Sequence, residues 1–309
     1  FWKKLSSLWR VWGITSQLEK EGIELFHGLS NELPLNIHKS RIKSIVTIHD
    51  LIFLRYPQYY QSIDRKIYTY KFRKACENAD KIIAISECTK RDIIRYFNIP
   101  DDKIEVVYQG CDISFTHPVT EEKKKEVRKK YQLPDHYILN VGSIEERKNI
   151  LAAVQALPML PQHIHIVIVG RRTGYTEKVE QFIKDNGLGE RVHIISNVPF
   201  NDLPAFYQLA EIFVYPSRFE GFGIPIIEAL YSGIPVVAAT GSCLEEAGGP
   251  DSIYVNPDDI TGLADAFKQI YSNSDKRKNM VEKGREFAKR FSEKQQSEEI
   301  INIYKKLIR

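Results

Sequence analysis

Glu220 and Glu228 stand eight positions apart in "FEGFGIPIIEALYSGIPVV", with a Gly-Phe-Gly turn and Pro225 between them. A carboxylate is a poor phosphate ligand, but it accepts two O–H donors at once, which is how a vicinal diol presents them. Gly221 and Gly223 permit a tight turn that brings backbone N–H groups close to a ligand. Pro225 suits a first helical turn and Gly233 a helix end, so the spacing predicts a helix over about 225 to 232. The start of such a helix offers N–H groups and a positive dipole end to an anion. Glu228 falls at the end of its first turn. An isolated Glu there more often only complements the dipole, and an isolated loop Glu is more often solvated. Strand, glycine turn, proline and paired acids occurring together favour a site for a molecule with a diphosphate and a hydroxyl-rich end. A nucleotide sugar is such a molecule.

The elements that would hold these residues are legible. "EIFVYPS" reads as a strand, which puts "RFEGFG" in the loop at its carboxyl end, where ligands bind in open α/β sheets. Short β-branched runs alternate with amphipathic stretches from residue 23 onward: "IELFHG", "KSIVTIHD", "KIIAIS" and "IEVVY", then "YILNVGS", "IHIVIVG", "VHIIS", "EIFVYPS", "IPVVAA" and "SIYV". That rhythm builds parallel sheets, and runs that are apolar at consecutive positions predict strands covered on both faces. A proline-flanked, charged stretch from His117 to His136 separates the two sets. It reads as a solvated helix following a linker near Phe115 to Val119. The division is therefore a first lobe over 1–117 with about four strands, a second over 118–290 with five or six, and a final helix over 291–309. The last helix carries a stripe of Ile300, Ile301, Ile303, Tyr304 and Leu307 that must pack on something, and the first lobe is its expected partner.

Composition narrows the class. A chain of 309 residues with 43% hydrophobic content buries a real core, and its length favours two domains. No apolar run is long enough to span a bilayer. Cys76, Cys88, Cys111 and Cys243 lack disulfide-framework or zinc-ligand spacing, which fits a reducing, cytoplasmic setting. Forty-four basic against 40 acidic residues give no case for nucleic acid as a partner. The sequence opens at Phe1, and "FWKKLSSLWRVW" lacks a signal peptide's apolar region and cleavage site, so it reads as starting inside a domain.

The run around Glu220 and Glu228 resembles the E-x7-E motif of the family 4 retaining glycosyltransferases, whose α/β fold, GT-B, sets two Rossmann-like lobes about a deep cleft. The resemblance covers nearly the whole chain. "VGSIEERKNI" is similar to the family's phosphate loop, "DKIIAISECTKRDI" to a first-lobe serine segment, and "VVYQGCD" to the end of the first lobe. "TIHDLIFLRYP" carries the His-Asp pair of the bacterial mannosyl- and rhamnosyltransferase-like branch, and "SCLEEAGGPDSIYVNPDD" has Leu244-Glu245 where a Pro-Glu pair is usual. A first strand with a glycine-rich loop is missing. Two βα units of about 30 residues each would account for it, so the first lobe reads as truncated.

The resemblance implies roles. Glu220 would touch donor-sugar hydroxyls and Glu228 the ribose, while Arg147 and Lys148 would hold the diphosphate. Gly142 belongs to the phosphate loop, the backbone of Gly221, Phe222 and Gly223 would line the sugar, and Val198 would read the base through backbone. His49 would position substrate from the first lobe, although a lone histidine is more often structural. Asp50 reads equally as a cap, and Ser86 as a helix cap or a site contact.

The implied reaction moves a hexose, mannose from GDP-mannose by branch, to a carbohydrate or lipid-linked saccharide with retention, in polysaccharide or lipopolysaccharide assembly. A GT-B epimerase or hydrolase and a non-catalytic nucleotide-sugar binder are the alternatives. No Asp-x-Asp pair lies on a suitable loop, since Asp258-Asp259 follows a proline in a turn, so no metal and no cofactor is expected. Trp2, Trp9 and Trp12 with Lys3, Lys4 and Arg10, and the run "RKIYTYKFRK", either dock on the inner face of the plasma membrane or pack aromatic faces inward.

Overall fold

The computed structural model describes residues 9–308. It divides into two compact units, one running to Gln109 and resuming at Lys294, the other spanning Gly110–Glu293. Trp2, Lys3 and Lys4 lie outside the described residues.

The first unit carries a parallel sheet in the order β1-β2-β3-β4, built from Leu25–Gly28, Lys43–Ile48, Lys81–Ala84 and Ile104–Val106. α1 (Ile14–Lys20) precedes the first strand, and α2 (Ile52–Arg55), α3 (Ser62–Asn78) and α4 (Glu87–Phe97) run between the later ones. β2 is buried at every position after Lys43, as a strand covered on both faces should be. On one face, Val46, Ile48, Ile82 and Ala84 pack with Phe53, Ile93 and Phe97. Ser86 caps α4, its hydroxyl accepting the Thr89 N–H at 3.0 Å, and Asn98 ends the helix in the left-handed region at φ 56°. The helix-cap reading of Ser86 is the one its geometry realises. Asp50 likewise accepts the Ile52 N–H at 3.0 Å at the start of α2.

The second unit has six parallel strands: β5 (Tyr137–Val141), β6 (His165–Val169), β7 (Val192–Ile195), β8 (Ile212–Tyr215), β9 (Val236–Ala239) and β10 (Ile253–Val255). Their order is β10-β9-β8-β5-β6-β7, so the winding reverses between β5 and β8. That reversal opens a crevice at the carboxyl ends of the two strands. α5 (Glu121–Tyr131) precedes the sheet, α6 (Ile150–Ala156), α7 (Tyr175–Asp185), α8 (Leu203–Leu209), α9 (Ile224–Ser232) and α10 (Leu244–Gly248) connect its strands, and α11 (Ile260–Ser272) and α12 (Ser274–Ala288) follow it. At the amino ends of β6 and β7, His165 Nδ1 and His193 Nε2 lie 3.0 Å apart with their rings within 20° of parallel. α5 buries only Val127 and is anchored by Lys130 and Tyr131, each 2.8 Å from Asp202.

The sequence places a linker near Phe115 to Val119; in the structure the second unit begins at Gly110 and takes in this stretch. Phe115 is fully buried edge-on to Tyr207 and Phe200, with ring centroids 5.4 and 5.7 Å away, and Cys111 N–H donates to Phe291 at 2.9 Å. The last helix, α13 (Glu293–Ile308), belongs to the first unit, where Ile300, Ile303, Tyr304 and Leu307 cover Ile45, Ile83 and Val107 on the second face of the sheet. Ile301 departs from the expected stripe and is 45% exposed, because it points away from the sheet. All four cysteines are buried free thiols.

Candidate active site

The loops after β5 and β8 meet at the winding reversal. The Arg218 N–H donates to the Arg147 carbonyl at 2.9 Å, and Asn149, left-handed at φ 54°, reaches the Pro257 carbonyl at 2.8 Å and that of Pro216 at 3.3 Å. These bonds fix the phosphate-loop-like segment against the glycine loop. Within this frame Arg147 Nη1 sits 2.7 Å from Glu220, and Lys148 Nζ lies 3.8 Å from the same carboxylate. The Arg147 and Glu220 side chains are only 14% and 12% exposed, so the pair is shielded from water in a way surface pairs are not. Burial works against the guanidinium charge; the Glu220 carboxylate more than offsets it and holds Arg147 above its ordinary pKa. Tyr215 ends β8, donating its hydroxyl to Glu220 at 3.1 Å, with Lys148 Nζ 3.3 Å from that oxygen.

Gly142 lies beneath Lys148: at φ 150°, a Cβ there would stand 2.8 Å from the Lys148 ammonium. The sequence reading thus brings Gly142, Arg147, Lys148 and Glu220 to one place. Phe222 turns its ring into the core, edge-on to Phe291 at 5.5 Å, and a Cβ on Gly223 would stand 3.1 Å from that of Ala247. The Cys243 thiol donates to the carbonyls of Phe222, at 2.6 Å, and Glu220, at 3.0 Å, and so holds the loop from below.

α9 starts at Ile224, with Pro225 in its first turn and Gly233 ending it in the left-handed region at φ 76°. The expectation of several N–H donors at its start needs correction. Pro225 has none, and the Ile226 and Ile227 N–H groups already reach the Gly223 carbonyl, at 2.9 and 3.4 Å. Glu228 sits one turn into the helix, accepting the Tyr207 hydroxyl at 2.6 Å. Burial lifts its carboxyl above the ordinary value against the opposing effect of that bond. Tyr207, Phe213 and Tyr215 form a row with successive centroids 5.3 and 5.9 Å apart. Each of the two glutamates is therefore bonded to a tyrosine at one end of a single aromatic row.

Val198 lies elsewhere, in the loop after edge strand β7, between left-handed Asn197 and Pro199. Glu245 accepts the Gly241 N–H at 3.0 Å and the Thr240 hydroxyl, closing the turn after β9. Asp258 pairs with Arg218 at 2.6 Å, and Asp259 caps α11 through the Gly262 N–H at 2.8 Å. Sequence reasoning missed Tyr207, Tyr215, Asn149 and Cys243. Of these, Tyr215 left a signal, as the last strand residue before Pro216.

His49 belongs to the first unit, one residue beyond β2. Its ring Nε2 lies 2.8 Å from the Leu29 carbonyl, its N–H donates to Asn31 Oδ1 at 2.7 Å, and its carbonyl accepts the Thr89 hydroxyl at 3.3 Å. The run "RKIYTYKFRK" falls on α3. Tyr68 and Phe72 set their rings edge-on to Phe53, although Tyr68 stays 37% exposed, and Tyr70 is 55% exposed.

Two family models match, glycosyltransferase family 4 over residues 1–115 and glycosyl transferases group 1 over residues 120–287. The O-antigen chain mannosyltransferase B of Escherichia coli is 31% identical over 289 residues, spanning 92% of this chain and 74% of its own length. The O-antigen chain mannosyltransferase RfbU of Salmonella typhimurium is 29% identical over 225 residues, or 73% of this chain and 60% of its own. The HepE protein of Anabaena, solved in complex with UDP, shares the fold at a TM-score of 0.81 and 18% identity, covering 96% of this chain and 81% of its own. With the reversed α/β sheet and the Arg147, Lys148 and Glu220 group at its switch point, these matches show that the chain belongs to the family 4, group 1 glycosyl transferases, nucleotide-sugar-dependent hexosyltransferases of the GT-B fold.

Proposed function

We propose that the chain transfers mannose from GDP-mannose to the hydroxyl of a saccharide or lipid-linked saccharide, with retention and without a metal, at the cytoplasmic face of the membrane during polysaccharide or lipopolysaccharide assembly. The observation that carries this reading is the grouping of Arg147, Lys148 and Glu220 where β5 and β8 diverge. Loss of a diphosphate from a sugar leaves an oxocarbenium-like carbon and a growing negative charge. Two fixed cations in a shielded crevice stabilise that charge, and single preorganised donors of this kind are worth about 100-fold in rate.

Glu220 aligns the sugar hydroxyls, Glu228 takes the ribose diol, and the backbone of Gly221, Phe222 and Gly223 lines the sugar. Val198 reads the base through its backbone, and His49 positions substrate from the first unit. The departing phosphate oxygen assists the acceptor proton, so no protein nucleophile is assigned.

Mannose is favoured because both bacterial relatives above are named as mannosyltransferases. Metal independence is favoured because Asp258 and Asp259 are committed to an ion pair and a helix cap. Membrane docking is favoured by exposed Trp9, Trp12, Ile67 and Tyr70 beside Arg10, Lys66 and Lys71; no described helix is long and apolar enough to cross a bilayer. Calorimetry with GDP, UDP and dTDP, with and without magnesium, on the native chain and the Arg147→Ala variant tests the donor site. GDP binding that survives chelation and weakens in the variant is the expected result. Binding of UDP or dTDP alone would overturn the mannose assignment, and sugar released from donor without acceptor would point to a hydrolase. Sedimentation with liposomes that shows no dependence on anionic lipid would remove the membrane reading.

A further inference from the structure

Two loop side chains of the crevice in the second unit share one strand residue. Tyr215 is the last residue of β8, 2% exposed and in register with Ala238 of β9, and Pro216 follows it. Its ring stacks on Phe213 within 19° of parallel, and Phe213 lies against Tyr207. Strand pairing and core packing therefore set where the Tyr215 hydroxyl stands. Glu220 sits on the loop after β8, and Lys148 ends a single turn after β5, Glu146–Lys148.

The chemistry of the three groups fixes the direction of each bond. A phenol has one O–H to give and two lone pairs, a carboxylate only accepts, and an ammonium only donates. Tyr215 therefore donates to Glu220 Oε1 at 3.1 Å and accepts from Lys148 Nζ at 3.3 Å. Burial, reinforced by the Glu220 charge, holds the phenol well above its ordinary pKa, so the proton it donates stays in place. The other carboxylate oxygen, Oε2, takes Arg147 at 2.7 Å, and Lys148 stands 3.8 Å from Oε1.

These three partners of Glu220 differ in how they respond to a bound donor. A diphosphate, carrying more charge than one carboxylate, competes for both cations, and each one it takes costs Glu220 a partner. Tyr215 is neutral and tied to the sheet, so its bond persists. We infer that Tyr215 is a positioning residue for the donor sugar: its hydroxyl holds the Glu220 carboxylate toward the sugar hydroxyls while Arg147 and Lys148 serve the diphosphate. This role rests on the transferase reading above and deepens it, by naming the group that keeps the sugar end of the site in order when the phosphate end fills.

GDP and GDP-mannose differ by the sugar alone, so the ratio of their affinities reads that end of the site. Calorimetry with both is made on the native chain, Tyr215→Phe, Glu220→Ala and the double variant, with thermal midpoints on the same preparations. Tyr215→Phe keeps the ring stack and removes one hydroxyl. Its GDP affinity is expected to stay close to native, whereas the ratio of GDP-mannose to GDP affinity falls by about 10-fold or more, the value of a hydrogen bond to a charged group. In the Glu220→Ala background the same substitution is expected to leave the ratio where it was, because the hydroxyl acts through a carboxylate that is no longer there. A hydroxyl that served only the core would shift the thermal midpoint and leave both ratios alone.

An unchanged ratio in Tyr215→Phe, whether GDP affinity holds or falls with it, overturns the role of Tyr215. So does an equal further loss in the Glu220→Ala background. Either result leaves the donor site of the transferase reading standing. A native chain that binds neither GDP nor GDP-mannose is the separate failure of that reading, and the role of Tyr215 falls with it.

Discussion

Arg147 Nη1 lies 2.7 Å from Glu220 Oε2, so the cation assigned to the diphosphate already has a carboxylate partner in the same crevice. Donor phosphate must share or replace that partner. Glu220→Gln is therefore expected to bind GDP as tightly as the native chain or more tightly, because it frees Arg147. Transfer from GDP-mannose should fall by about 100-fold, since the lost carboxylate no longer aligns the sugar hydroxyls. Calorimetry and initial rates on one preparation check both halves.

Glu228 presents the opposite balance. Its folded carboxyl is raised by burial, so the charged form costs stability as pH rises above the ordinary carboxyl value, and the protein is relieved of that cost when the side chain is neutral. Glu228→Gln should raise the thermal midpoint at neutral pH, with Tyr207 still donating to the amide oxygen. Donor binding should weaken by about 10- to 100-fold, the value of a hydrogen bond to a charged group. A midpoint that falls would show that the native carboxylate is better satisfied than its one tyrosine partner implies.

His165 and His193 make acid the weak side of the fold. Both are lowered from the ordinary histidine value, first by burial, then His165 by Arg191 and His193 by His165. The folded state therefore binds fewer protons than the unfolded chain below about pH 6.5. Stability should be intact above that value and decline as pH falls through it. The hydrogen bond between the rings needs one N–H and one lone pair, so double protonation also breaks it. Urea midpoints between about pH 7.5 and 5.5 should drop, and the slope should be shallower in His193→Asn.

Gly170 controls the loop that carries the cations. A Cβ there would fall 1.8 Å from the Gly142 carbonyl oxygen, a backbone atom that cannot swing aside. Gly170→Ala is expected to cost about 2 kcal/mol or more, in the range of backbone strain and overpacking. It should also loosen GDP through displacement of Lys148. Unchanged affinity at lowered stability would separate the two effects and place the strain on β6 alone.

Much of this was written in local pattern. The ten strands among the described residues sit in the runs of β-branched residues because parallel strands covered on both faces need consecutive apolar positions, and α9 was bracketed by Pro225 and Gly233. Arg147, Lys148 and Glu220 could be gathered because each follows a strand at its carboxyl end. Tyr207 could not. It lies on α8, and only the fold stacks it on Phe213 and turns its hydroxyl to Glu228. Cys243 was equally silent, since a thiol donating to two carbonyls leaves no periodicity. The packing of Phe115, at the start of the stretch read as a linker near Phe115 to Val119, was hidden for a related reason: proline and the charged run that follows mark the stretch as open, whereas the burial of Phe115 depends on rings about 90 positions further on.

The return of α13 to the first unit has a consequence for synthesis on the ribosome. Ile45, Ile83 and Val107 are translated before the second unit, yet their cover, Ile303 with Ile300, Tyr304 and Leu307, is translated only after it. One face of the first sheet stays bare while the whole second unit is made, and the second unit has its whole chain by Glu293. Vectorial folding, which usually favours the amino-terminal domain, is inverted here. The second unit can mature first, and a nascent first unit offers an apolar surface that a holdase chaperone would occupy until the last helix emerges to cover it.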